Sequence, residues 1–137
     1  MESKEEIWRQ FVEAYEIEVP EEKVEEELRY ILLEMRHRLQ YDTLINHAVH
    51  LNPRAEIASR EEEYRRLARY EAKSELVMKE LLAKWNPSVT KDELLQEARA
   101  VAVRQNADAD LVKAFFGEDL AMLERDLKER KIKARIC

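Results

Sequence analysis

Val24, Leu28, Ile31, Met35 and Leu39 recur at alternating intervals of four and three, and Leu32 widens the stripe they make. Such spacing returns side chains to one face of an α-helix, so it predicts a long amphipathic helix. Pro20 fits its first turn, where the missing amide proton is not needed, and biases Val19 away from helical geometry. Glu21 and Glu22 suit the positive end of the helix dipole. The helix is expected to reach Ala48, roughly 40 Å at 1.5 Å per residue.

Upstream, residues 4–14 predict a short helix with Ile7, Phe11 and Ala14 inward. Tyr15, Ile17 and Val19 then alternate with Glu16 and Glu18, the period of an extended segment, so residues 15–19 are expected to be a linker. "HLNPRAEIAS" reads as the exit from the long helix and a connector, because Pro53 disfavours continuation. A second long helix is expected from Arg60 to Trp85. Tyr64, Leu67, Tyr70, Ser74, Val77 and Leu81 form one face, widened by Met78, Leu82 and Trp85. An antiparallel return against the first long helix would bury both stripes.

Thr90 followed by Glu93 is a capping-box pattern, with Val89 placed to staple over Leu94. Leu94, Leu95, Ala98, Val101 and Ala102 then give the inward side of a third main helix. Asp108 or Asp110 is expected to start a further helix and Gly117 to end it. Leu120, Leu123 and Leu127 define the last stripe, with Phe115 and Phe116 as anchors at the corner. The expected fold is all-α, a mixed helical bundle or cradle forming one domain over residues 1–137. The heptad-like portion from Val24 to Leu39 allows a coiled-coil dimer, so a homo-oligomer is kept among the candidate assemblies.

Composition narrows the function. The chain has 30 acidic and 24 basic residues, a formal charge of −6, one glycine and three prolines. Net acidity argues against a general phosphate-backbone binder, and one glycine leaves no phosphate-binding or dinucleotide loop. The sole cysteine, Cys137, excludes an intrachain disulfide and a thiolate metal cluster. No apolar run reaches the roughly 20 residues of a membrane span, and acidic residues follow Met1 where a signal segment would be basic, so a cytoplasmic protein without membrane attachment is expected.

Candidate chemistry is sparse. Glu34 with His37, and His47 with His50, have helical spacing, but neither pair supplies the further ligands of a metal centre. Ser59, Ser74 and Ser88 sit in no nucleophile turn. No enzyme activity, cofactor or metal is therefore expected. Arg65, Arg66 and Arg69 among Tyr64 and Tyr70 give a nucleic-acid cue that Glu61, Glu62, Glu63 and Glu71 weaken. The basic tail, with six Lys or Arg against two Asp or Glu over residues 125–137, is expected to be a solvated face.

Three stretches carry a family resemblance in their order. "YEIEVPEEKVEEELRYILLEMRHRLQ" resembles the entry to the carboxyl-terminal chaperone domain of bacterial trigger factor. "EEEYRRLARYEAKSELVMKELLAKWNPSVTKDELLQEA" resembles its following long helix and the start of the next. "ADLVKAFFGEDLAMLERDLKERKIKARI" resembles its later short helix and final helix. The resemblance spans about Lys4 to Ile136. It implies an elongated multi-helix cradle with two long antiparallel arm helices and a shorter helical body. It also implies an ATP-independent chaperone that holds unfolded or nascent polypeptides. The family's ribosome-docking and glycine-rich peptidyl-prolyl isomerase domains have no counterpart in these residues, so ribosome binding and isomerisation are not expected.

On that reading the client-contact candidates are Ile17, Val19, Leu32, Met35, Met78, Leu82, Phe115, Phe116 and Met122. Leu28, Ile31, Leu67, Val77, Leu94, Leu120, Leu123 and Leu127 are expected to serve the fold. Two alternatives stay open: a structural adaptor or homodimerisation module for one partner, and weak RNA association through the Arg-rich helix or the tail.

Overall fold

The structure, a computed structural model, describes residues 2–117 and 120–137. Among them are seven helices and no strand: α1 (Lys4–Ala14), α2 (Glu21–Ile45), α3 (Pro53–Ala58), α4 (Glu61–Trp85), α5 (Lys91–Arg104), α6 (Ala109–Phe116) and α7 (Ala121–Ile136). The all-α expectation holds. Residues 16–20, most of the expected linker, carry no helix or strand.

Local chemistry explains most helix starts. Ser3 and Glu6 exchange side-chain and backbone bonds of 3.1 and 3.2 Å at the head of α1. Thr90 and Glu93 do the same at α5, satisfying two amides that the first turn leaves unpaired. Asp108, of the two aspartates considered, caps α6 by accepting from the Leu111 amide at 2.8 Å. Pro20 is the residue before α2, with extended backbone at φ −61° and ψ 135°.

Two boundaries differ from expectation. The helix α2 stops at Ile45, three residues short of Ala48, because His47 turns left-handed at φ 56°. The connector holds a helix of its own. Asn52 caps α3 through Oδ1, which accepts from the Ala55 amide at 3.2 Å, and Pro53 opens it. Proline in a first turn starts a helix as readily as it stops one further along.

The chain forms two compact units, Arg9–Val77 and Met1–Trp8 with Met78–Cys137. In the first, Arg65 pairs with Glu25 and Arg69 with Glu21, the latter at 2.9 Å. A step of four up α2 is thus a step of four down this part of α4, which makes them antiparallel. Their seam buries Val24, Leu28, Ile31, Tyr64, Ala68 and Ala72. Ala68 and Ala72 are fully buried, whereas Leu67, expected to serve the fold, is 39% exposed. Tyr64, Ala68 and Ala72 follow one another at intervals of four, so they share the helix face in the seam, and Leu67 lies beside that face.

In the second unit, α5, α6 and α7 surround Val112, Leu120 and Leu123, with Leu94, Ala98, Val101, Ala102 and Phe116 packed against them. Leu120 has left-handed backbone at φ 59° and ψ 31°, which costs a residue with a Cβ about 1–2 kcal/mol. Its 7% exposure offsets that cost, since full burial of a leucine contributes about 1.5–3 kcal/mol. Glu97 on α5 ties the unit together by accepting from Arg104 at 3.2 Å and from Arg130 of α7 at 3.0 Å.

Candidate functional site

The register of α2 against α4 leaves an apolar groove. Glu61, the first residue of α4, lines the groove together with Leu32 and Arg36 of α2. The remaining turns of α2 extend beyond it. There α3, a six-residue helix with no buried side chain, packs against α2. The result is an open groove of about 1040 Å³. Leu32, Arg36, Leu39 and Thr43 line one wall at helical spacing; Pro53, Arg54, Ile57 and Ala58 line the other, with Leu44 and Leu51 at its end. Leu44 is 74% and Leu51 94% exposed, and both expose more side chain than a folded helix pair needs to shed.

His50 fixes that end of the groove. Its Nε2 lies 2.7 Å from Oδ2 of Asp42 on α2, and its Nδ1 2.9 Å from Oε2 of Glu56 on α3. The hydrogen bonds to Asp42 and then Glu56 raise its pKa above the ordinary histidine value. Asp42 is held below its ordinary value, first by the Asn46 amide and then by His50. The ring thus clasps the connector between two helices. Among the described residues no three His, Cys, Asp or Glu side chains are placed to hold a metal ion.

The second unit carries its own exposed apolar surface. Phe115 is 73% exposed and stands edge-on to Phe116, with ring centres 4.9 Å apart. Leu111 and Met122 are each about 60% exposed. A shallow depression of about 260 Å³ lies between Leu82, Asn86 and Pro87 at the end of α4 and Ala121, Glu124, Arg125 and Lys128 on α7.

The nine contact candidates divide by environment. Phe115 and Met122 are exposed. Leu32 and Met35 are half-buried, pack beside the α2–α4 seam with Val19, and Leu32 also lines the groove. Ile17 and Leu82 are half-buried, and Phe116 packs onto the α5–α6–α7 cluster. Met78 is 7% exposed and belongs to the core. Sequence reasoning passed over Leu44, Leu51, Ile57, Arg36 and Arg54. The two long helices are equal in length at 25 residues each, so nothing local in the sequence marked which part of the α2 stripe α4 would leave uncovered.

The basic residues near the tail are engaged. Arg125 pairs with Glu129, Lys128 with Glu124, Arg130 with Glu97 and Asp126, and Lys131 with Glu93 at 2.7 Å. Lys133 lies over the Trp8 ring and Arg135 over Trp85, at 5.4 and 4.5 Å. On the Arg-rich helix, Arg65 and Arg69 are tied to α2. These partners leave both basic segments less available to phosphate than their composition suggests. Among the described residues no helix is long and apolar enough to cross a membrane.

The family model of the bacterial trigger factor protein (TF) C-terminus matches residues 1–137. No curated protein and no solved structure matches the chain.

Proposed function

The chain belongs to the family of bacterial trigger factor carboxyl-terminal domains, and from that membership we propose an ATP-independent holdase for unfolded or nascent polypeptides. The family is one of chaperone domains that act in the cytosol on such chains. The holding itself would be noncovalent. Exposed apolar side chains exclude water against those of a client, while the charged surface around them keeps the complex dissolved and reversible.

The groove between α2 and α3 is the observation that carries this reading. Leu44 and Leu51 stand open at its end, and Leu32, Leu39 and Ile57 continue the apolar lining inward. Phe115 and Met122 supply a further contact surface, and separate weak contacts on one client raise avidity without a deep pocket. Ile17, Val19, Met35, Leu82 and Phe116 support it from half-buried positions, and Met78 enters the proposal as packing beneath the surface.

The test combines aggregation and crosslinking. Several unrelated unfolded proteins are diluted into buffer without ATP, with the chain at stoichiometric concentration, while photo-crosslinkers report from positions 44, 51, 115 and 122. Protection of more than one client with crosslinks at these positions is expected. No protection and no crosslinks would overturn the holdase reading, and capture of a single folded partner would favour an adaptor.

A further inference from the structure

Charge at the α2–α3 groove runs against the charge of the chain. Arg36 lies on the α2 wall one turn after Leu32, and Arg54 follows Pro53 on the α3 wall. Both are exposed, and among the described residues neither has a carboxylate ion-pair partner. The other charged groups lining the groove are taken. Glu61 is held by Arg65 at 3.6 Å, and His50 stands between Asp42 and Glu56. What remains free is an apolar floor with a guanidinium on each wall, in a chain of net charge −6.

We propose that this groove selects apolar peptide segments bearing a carboxylate, Arg36 and Arg54 taking the acid while Leu32, Leu39, Leu51 and Ile57 take the apolar side chains. The inference rests on the holdase reading and specifies its client. A guanidinium presents a planar pair of donors that a carboxylate matches with both oxygens, and its aliphatic stem lies against apolar surface without losing its hydration. The long-range field of an acidic chain favours basic segments. Local pairing in the groove opposes that bias, so acid-bearing apolar segments gain at this place what they lose in the encounter.

Fluorescence anisotropy of three labelled peptides tests it. They share one leucine-rich core and are flanked by Glu, Gln or Lys, and they are titrated with the full chain and with R36Q/R54Q. The Glu peptide should bind more tightly than the Gln peptide by roughly two- to fivefold for each guanidinium. The gap should close in R36Q/R54Q and at ~0.5 M NaCl, where exposed ion pairs are screened. R36K/R54K should keep part of it, having charge without the planar fork. Circular dichroism establishes that the variants fold, as exposure of both side chains leads one to expect. Equal binding of the Glu and Gln peptides, or a Glu preference that survives R36Q/R54Q, overturns the proposal. If the Gln peptide still binds and crosslinks at position 51, holding stands and only the selectivity falls; if no peptide binds, both fall.

Discussion

Nε2 of His50 lies 2.7 Å from Oδ2 of Asp42, eight residues earlier, while Nδ1 faces Oε2 of Glu56 at 2.9 Å. Only the protonated ring donates from both nitrogens; a neutral ring would set a lone pair against one carboxylate. A histidine pKa raised by folding contributes stability that is whole below its ordinary value of 6.5 and fades as pH rises through the raised value. Asp42, with its pKa lowered, contributes above its ordinary 3.8 and loses that contribution as pH falls through the lowered value. The clasp is therefore complete between these ordinary values. An NMR titration of the His50 ring should give a midpoint above 6.5, and D42N should lower it. A midpoint at or below 6.5 in the unaltered protein would contradict the geometry.

Thr90, the N-cap of α5, should be sensitive to substitution although it is exposed. T90A removes the acceptor for the Glu93 amide, and loss of such a cap costs about 1 kcal/mol. Urea unfolding should show the midpoint falling with an unchanged slope, and T90S should recover most of the loss. A wild-type midpoint in T90A would mean the capping box contributes nothing here.

Adjacent residues on α4 should respond in opposite ways to what residue type suggests. L67A shortens a side chain that is 39% exposed and should cost well under the roughly 2–5 kcal/mol of a buried Leu→Ala change. A68L enlarges a fully buried alanine in the α2–α4 seam and should cost about 1–3 kcal/mol through overpacking. Thermal or urea unfolding of the two variants ranks them directly; a larger loss in L67A would move the seam to the other face.

Polar replacement of exposed apolar residues should separate holding from folding. L44S/L51S and F115S/M122S alter side chains that are between 62% and 94% exposed, so unfolding midpoints should stay near the original. A client contact that buries one such leucine is worth about 1.5–3 kcal/mol. Aggregation suppression should accordingly need severalfold more of either double variant. Full protection at the original concentration would exclude these surfaces from client contact.

The sequence by itself determined what is local. Alternating spacings of three and four can bury an apolar stripe only as a helix, so α2 and α4 follow from residues a few positions apart. The Thr90 and Asp108 caps likewise satisfy amides within three residues of themselves. Pro53 was already ambiguous at that range, because the same ring ends one helix and opens another; the Asn52 cap decided for opening.

Only the tertiary structure decided which faces meet and where their contact ends. Leu67 and Ala68 are neighbours in sequence and point about a third of a turn apart, and the seam takes the alanine while the leucine stays 39% exposed. The groove depends on Arg65 meeting Glu25 across 40 residues of chain, a register absent from any local pattern. Beyond the seam, Leu39 and Leu44 of α2 line the groove, with α3 on its other wall. Helix period is a property of neighbouring residues, whereas exposure is a property of what another segment fails to cover.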